Sequence, residues 1–190
     1  MNIVRLSQVP AEPWRNGGGT TQVLLAWPTA EAWALRVSVA RIEADGPFSA
    51  WPGVARHFAV LAGAGVELAW ADRVVHLTPK SEPLAFDGAD PPTGRLLGGP
   101  SDDLNLMVRS DAGRAHLQRL VPGHAWQPPA RWRGLYTHEA AVLEAAGSEW
   151  PLAAGTLVWA GDAPSDDGAW VLHAAHPGHA FGLWLERPAA

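Results

Sequence analysis

The chain of 190 residues contains no cysteine, and its one lysine is Lys80. The lack of thiols excludes disulfide bonds, thiolate zinc sites and cysteine nucleophiles. Charged residues make up 17% of the chain, which is below the usual quarter, and the formal net charge of −5 argues against non-specific nucleic-acid binding. No apolar run approaches the length of a membrane span. The sequence also shows no basic segment followed by an apolar run, which is the pattern of a signal peptide. We therefore expect a cytoplasmic protein that binds neither nucleic acid nor membranes.

The sequence also lacks a pattern for a metal site on a strand. Such a site needs two histidines one residue apart, so that both imidazoles lie on the same face. No His-x-His occurs, and His57 stands alone. The histidines at 173, 176 and 179 are three residues apart, a spacing that alternates faces on a strand, and Pro177 and Gly178 interrupt a helix. We expect no metal and no cofactor.

Motifs for catalysis are equally scarce. No Gly-x-Ser-x-Gly elbow is present. The glycines at 17–19 precede a strand rather than a helix and lack the Lys-Ser/Thr of a phosphate loop. The sequence therefore assigns no catalytic residue.

The chain is rich in short extended segments separated by glycine, proline and aspartate. Alternating or branched apolar patterns predict strands at residues 21–27, 33–42, 56–61 and 104–109. Residues 140–144 fit either a strand or the start of a short helix. Punctuation at roughly ten-residue intervals predicts an all-β sandwich or barrel.

The two halves of the chain resemble each other weakly. Residues 60–65 (VLAGAG) and 142–147 (VLEAAG) both run from a short strand into a turn of small residues. Residues 110–114 have turn composition and mark the expected boundary. We expect an N-terminal half at 1–112 and a C-terminal half at 113–190, forming two stacked β-barrel or sandwich halves in one compact unit.

The glycine-rich stretch at residues 13–20 (PWRNGGGT) admits two interpretations. Three glycines allow positive φ and a close approach of the backbone to another group. The stretch is either a loop that meets a small ligand or a tight turn that leads into a strand.

Polar faces of three strands suggest one place for a ligand. Because residues two apart on a strand share a face, Arg36 lies on the same face as Ser38, Arg56 on the same face as Phe58, and Asn105 on the same face as Met107. If these faces turn inward, fixed guanidinium groups would suit a carboxylate, because arginine binds it bidentately and keeps its proton. The alternative is that both arginines face solvent and the apolar faces form the core. Arg36 could also form a structural pair with Asp45.

Several segments together resemble the HutD/Ves family of bicupin-like proteins. The resemblance is carried by residues 13–20, 36–40 (RVSVA), 45–49 (DGPFS), 52–56 (PGVAR), 86–88 (FDG) and 103–107 (DLNLM). It is specific up to about residue 110 and weaker beyond. It implies an all-β bicupin with an RmlC-like jelly roll, two stacked halves and few short helices, the second half being a degenerate cupin.

The resemblance also implies a role in bacterial histidine utilisation, through binding of a pathway intermediate. On this basis we expect a metal-free site for a small anionic metabolite, a carboxylate such as formylglutamate or urocanate. The expected binding residues are Arg56, Asn105, Asn16, Thr20, Arg15, Gly18, Gly19, Arg36, Ser38 and Phe48. The alternative is a metal-independent isomerase or hydrolase with His57 or Glu139 as base, and a homodimer is left open.

Overall fold

The computed structural model describes residues 1–128, 130–161, 168–174 and 180–186. The chain divides into two units, one formed by Val9–Ala112 and the other by Met1–Gln8 with Gly113–Ala190. In chain order the strands up to residue 112 are β1 (Asn2–Arg5), β2 (Glu12–Pro13), β3 (Gly19–Trp27), β4 (Leu35–Ile42), β5 (Gly46–Pro47), β6 (Val54–Ala62), β7 (Val66–Ala69), β8 (Val74–Leu77), β9 (Leu84–Asp87), β10 (Thr93–Leu96) and β11 (Ser101–Arg109). One 3-10 turn, Leu6–Gln8, follows β1.

The strands after residue 112 all belong to the C-terminal unit. They are β12 (Ala115–Arg119), β13 (Ala125–Trp126), β14 (Ala130–Thr137), β15 (Ala141–Ala145), β16 (Ser148–Leu152), β17 (Thr156–Gly161), β18 (Trp170–Ala174) and β19 (Ala180–Glu186).

The unit Val9–Ala112 is a sandwich of two antiparallel sheets. Six strands in the order β2-β3-β4-β11-β6-β9 form one sheet, and four in the order β5-β10-β7-β8 form the other. Apolar side chains from both sheets pack into one core, namely Ile42, Phe58, Val60, Val66, Leu68, Leu77 and Phe86. Burial of these side chains between the sheets supplies the main driving force for folding of this unit.

The C-terminal unit repeats this plan with larger side chains. Its sheets have the orders β1-β17-β14-β19-β12 and β13-β18-β15-β16. The core between them contains Trp126 and Trp170, whose ring centroids are 5.9 Å apart, with Trp184 packed against it. Aromatic rings therefore fill the space between the two sheets in this unit.

The predicted strands are confirmed, with small changes of boundary. The strand expected at 21–27 begins earlier, at Gly19, and the one at 33–42 begins later, at Leu35. The segment at 140–144 is strand β15 and not a helix. The division of the chain into domains at residues 1–112 and 113–190 stays a prediction. Strand pairing joins β1 to β17, which places the first eight residues with the C-terminal unit.

Within the described part of the chain, no helix is both long and apolar enough to cross a membrane.

Candidate anion-binding site

Buried polar side chains concentrate on one face of the six-stranded sheet. Of the eight buried polar or charged residues in the described part of the chain, five lie on this face: Ser38, Arg56, Ser101, Asp103 and Asn105. Because directly paired residues point to the same side of a sheet, this is also the face of Ile42, Phe58 and Val60 in the core. We call it the inner face of the sheet.

Strand register arranges the inner face in rows. Met107 on β11 lies opposite Arg36 on β4 and opposite Arg56 on β6. One row further, Asn105 lies between Ser38 and Phe58. Two arginines, a serine and an amide are thus brought together on the inner face, which is the inward-facing option that the alternating pattern left open.

Arg56 occupies the centre of the site and is 8% exposed. Its Nη2 donates to Asn105 Oδ1 at 3.2 Å, and its Nη1 donates to the Ser49 carbonyl at 3.4 Å. Its guanidinium carbon lies 5.3 Å from the centroid of the Phe48 ring and 5.0 Å from that of Phe86. The two rings shield the cation from water and attract it through their π faces.

Two buried polar atoms on this face have no hydrogen-bond partner among the described residues, the Nε of Arg56 and a carboxyl oxygen of Asp103. Arg56 Nε is buried and makes no hydrogen bond within the described residues. The Ser38 hydroxyl and the Asn105 amide nitrogen have no hydrogen-bond partner in this part of the chain either, but these two atoms are not fully shielded from water. Unpaired buried donors are costly and uncommon in native proteins. This surface therefore suits a ligand that brings acceptors.

Burial also affects the charge of the site. Desolvation, with the nearby Arg36 charge as a second cause, lowers the pKa of Arg56 to about 10. The group remains protonated at neutral pH, so the site keeps a buried positive charge. Among the described residues, no carboxylate lies within ion-pair distance of Arg56. An anion at this position would supply the missing counter-charge.

The glycine-rich stretch is a tight turn held by hydrogen bonds within itself and by bonds from Glu43 and Ala44 to the Gly18 carbonyl. Trp14 N donates to the Gly19 carbonyl at 2.9 Å, and Gly18 N donates to Asn16 Oδ1 at 3.1 Å. A Cβ on Gly19 would lie 2.2 Å from the carbonyl oxygen of Arg41, so only glycine fits there. Gly17 has φ +70°. The close approach allowed by these glycines is to the neighbouring strand, as in the turn interpretation.

The structure does not bring all the expected binding residues together. Arg15 and Asn16 are exposed on the turn. Thr20 pairs with the exposed Arg41, which puts it on the face opposite the inner one. Its neighbour Thr21 is on the inner face and accepts a hydrogen bond from Trp14 Nε1 at 2.7 Å. A ligand contact by any of these residues stays a prediction.

Two further expectations are changed by the geometry. The alternative pairing of Arg36 with Asp45 is absent from the described residues, where Arg36 donates to Met107 Sδ and Asp45 Oδ1 accepts from the Leu96 backbone N–H at 2.8 Å. His57 lies on the face opposite Arg56, since adjacent strand residues alternate. His57 is therefore badly placed to act as a base on a ligand held by Arg56.

Sequence reasoning missed one buried acid on the inner face. Asp103 is fully buried, and desolvation holds its pKa well above the usual value. Its Oδ1 accepts from Ser101 Oγ at 3.0 Å, whereas Oδ2 has no partner among the described residues. The alternation of Ser101, Asp103, Asn105 and Met107 along β11 was the available signal. The same burial favours the neutral carboxylic acid over the carboxylate at this position.

Metal-binding groups do not cluster in the described residues. No set of three histidine, cysteine, aspartate or glutamate side chains there could hold a metal ion. His173 lies 3.3 Å from Glu144, and His176 and His179 lie outside the described residues.

Comparison with known families identifies the chain. A family model described as HutD matches residues 6–178. The chain belongs to the HutD family. Protein Ves of Cronobacter sakazakii (strain ATCC BAA-894) is 31% identical over 119 residues, which cover 62% of this chain and 66% of that protein. An uncharacterized 21.2 kDa protein in the hutC 3' region of Pseudomonas putida is 32% identical over 120 residues, which cover 62% of this chain and 63% of that protein.

The matched segment thus spans less than two thirds of the length of these curated relatives. The HutD family is associated with a histidine-utilisation locus.

Solved structures show the same fold over the whole chain. A conserved protein of unknown function from Pseudomonas aeruginosa PAO1 has a TM-score of 0.86 at 27% identity, covering 99% of both chains. HutD from Pseudomonas fluorescens SBW25, in a formate condition, has a TM-score of 0.82 at 23% identity, again covering 99% of both. Oxalate decarboxylase of Bacillus subtilis has a TM-score of 0.63 at 9% identity, covering 99% of this chain and 78% of that one. The prediction of an all-β bicupin is confirmed.

Proposed function

We propose that this HutD-family protein binds a small carboxylate metabolite on the inner face of the six-stranded sheet and thereby moderates histidine utilisation. The observation that carries the proposal is the buried Arg56 guanidinium, whose Nε has no acceptor and which has no carboxylate partner in the described residues. Formylglutamate and urocanate are the candidate ligands, because both are acids of the pathway with which the family is associated.

Each group at the site has a distinct proposed part in binding. Arg56 holds a carboxylate through Nε and one terminal nitrogen, the fork geometry that arginine offers to planar anions. Asn105 and Ser38 donate to other oxygens of the ligand. Phe48 and Phe86 keep water from the ion pair, and in such a low-dielectric setting the charge interaction is stronger than in water.

Holding a metabolite without transforming it fits the residues on this face. The acid there, Asp103, is buried and has a raised pKa, and His57 points the other way. A protein that binds an intermediate lowers its free concentration. The proposed moderating effect on the pathway follows from this mass action alone.

Isothermal titration calorimetry of formylglutamate and urocanate tests the proposal. We expect saturable binding to the wild-type protein and its loss in Arg56→Ala, because that variant removes the cation together with its Nε and terminal donors. Arg41→Ala is the matched control. Arg41 is an exposed arginine of the same sheet that already pairs with Asp102 at 3.0 Å.

The control variant should bind like the wild type. Absence of heat with either acid at millimolar concentration, or equal binding by Arg56→Ala and the wild type, would rule out this site. Incubation of each acid with the wild type, followed by chromatography, separates holding from turnover. Conversion of the acid would favour the enzymatic alternative.

A further inference from the structure

A second cation lies in the same row as Arg56. Arg36 and Arg56 both lie opposite Met107, one strand away on either side. Their Cα atoms are therefore about 10 Å apart, which is twice the spacing between neighbouring strands. Arg36 Nη1 is 3.6 Å from Met107 Sδ, so its side chain runs along the row toward Arg56.

Neither arginine of this row has an acidic partner. The four exposed arginines of the unit that form ion pairs do so with carboxylates at 2.6–3.5 Å: Arg41 with Asp102 and Glu43, Arg73 with Asp72, Arg95 with Glu67, and Arg109 with Asp111. Within the described residues, Arg36 has a thioether as its only hydrogen-bond partner and Arg56 has only neutral oxygens. The paired arginines of this unit are exposed, whereas Arg36 is partly buried and Arg56 is buried.

The electrostatics support a shared environment. The Arg36 charge is one cause of the lowered pKa of Arg56, so the two cations repel each other across the row. Burial lowers the pKa of Arg36 as well, and Glu12 opposes this only through its charge, without an ion pair. One carboxylate bound to Arg56 would leave Arg36 without a direct counter-charge.

We propose that the site selects a ligand with two carboxylates, one on Arg56 and the other on Arg36. This rests on the proposed function and specifies its ligand class. Ser38, on the strand of Arg36, and Asn105, on the strand between the two arginines, lie one row away. Their donors can there meet polar atoms between the two acidic ends. Arg36 is the specificity-determining residue, because it meets only the second carboxylate.

Two matched acids test this inference in the intact chain. Glutarate and pentanoate have the same five-carbon backbone and differ in one terminal carboxylate, which is a methyl group in pentanoate. We expect glutarate to bind the wild type at least about tenfold more tightly, the gain of one desolvated charge pair. In Arg36→Gln that ratio should fall to about one, with pentanoate affinity little changed.

Arg41→Gln removes a charge from the same strand but on the opposite face, so it should keep the wild-type ratio. The wild-type comparison needs no substitution and stands even if Arg36→Gln folds poorly. Equal affinity of the two acids for the wild type would overturn the inference. So would an equal loss of both acids in Arg36→Gln.

The result also separates this inference from the proposed function. If both acids bind equally and both are lost in Arg56→Ala, the carboxylate site stands and its two-charge selectivity is wrong. If neither acid binds the wild type, the proposed function and this inference fail together.

Discussion

Replacing Arg56 by methionine should remove anion binding while leaving the protein nearly as stable as the wild type. The lowered pKa of Arg56, about 10, corresponds to a penalty of about 3 kcal/mol on the charged form in the fold. Methionine removes that penalty and fills similar space. It gives up two long hydrogen bonds, worth about 1 kcal/mol each. It also gives up the cation–π contacts with Phe48 and Phe86, which sulfur–aromatic contacts partly replace.

The expected change in the free energy of unfolding is therefore within about 1 kcal/mol of zero, because these terms nearly cancel. Phe58→Ala, two residues away on the same strand, is the reference for a large loss in the free energy of unfolding. It empties a fully buried position and should cost about 3–5 kcal/mol. Urea denaturation followed by tryptophan fluorescence measures both variants. A loss in Arg56→Met as large as that in Phe58→Ala would refute the reasoning and make Arg56 a structural residue.

Three further predictions concern the same sheet. Carboxylate binding to the wild type should weaken as pH rises through about 10, where free Arg56 loses its proton, as calorimetry across that range would show. Asp103 has a folded-state pKa above its unfolded value, so its contribution to stability is full at acidic pH and is lost as pH rises toward the folded pKa. Asp103→Asn should flatten that decline in urea titrations at several pH values, whereas the control Asp90→Asn, at an exposed position, should not. Gly19→Ala should destabilise the protein far more than Gly17→Ala. Gly19→Ala puts a Cβ against a backbone carbonyl, whereas Gly17→Ala meets only the cost of positive φ, about 1 kcal/mol. Equal losses of stability in thermal melts of the two variants would contradict the turn geometry.

The strands of the N-terminal unit could be predicted because their patterns are strong. The alternation of Leu35, Val37 and Val39 with Arg36 and Ser38 requires an extended chain with two distinct faces. The same pattern could not say which face carries the site. In the structure Val37 is fully buried and Ser38 is 2% exposed, so both faces of this strand are shielded from water. Polarity alone therefore gives no inward direction.

The missed details at the site depend on register and on single-residue offsets. Whether Thr20 or Thr21 faces inward depends on where β3 starts and how it pairs with β4, and a β-bulge interrupts that pairing between Val23 and Leu25. The role of Gly19 depends on how close a strand distant in sequence approaches it. Such contacts are tertiary, and local composition does not encode them.

The Arg56 Nε–H provides the most direct test of the central claim. In a ¹⁵N–¹H spectrum its resonance is assigned as the one missing from Arg56→Met. Addition of a carboxylate ligand should shift this resonance progressively, because Nε gains its first acceptor, and the shift should saturate with the affinity measured by calorimetry. An Arg56 Nε–H that stays unchanged while the ligand binds would place the ligand elsewhere and contradict the account.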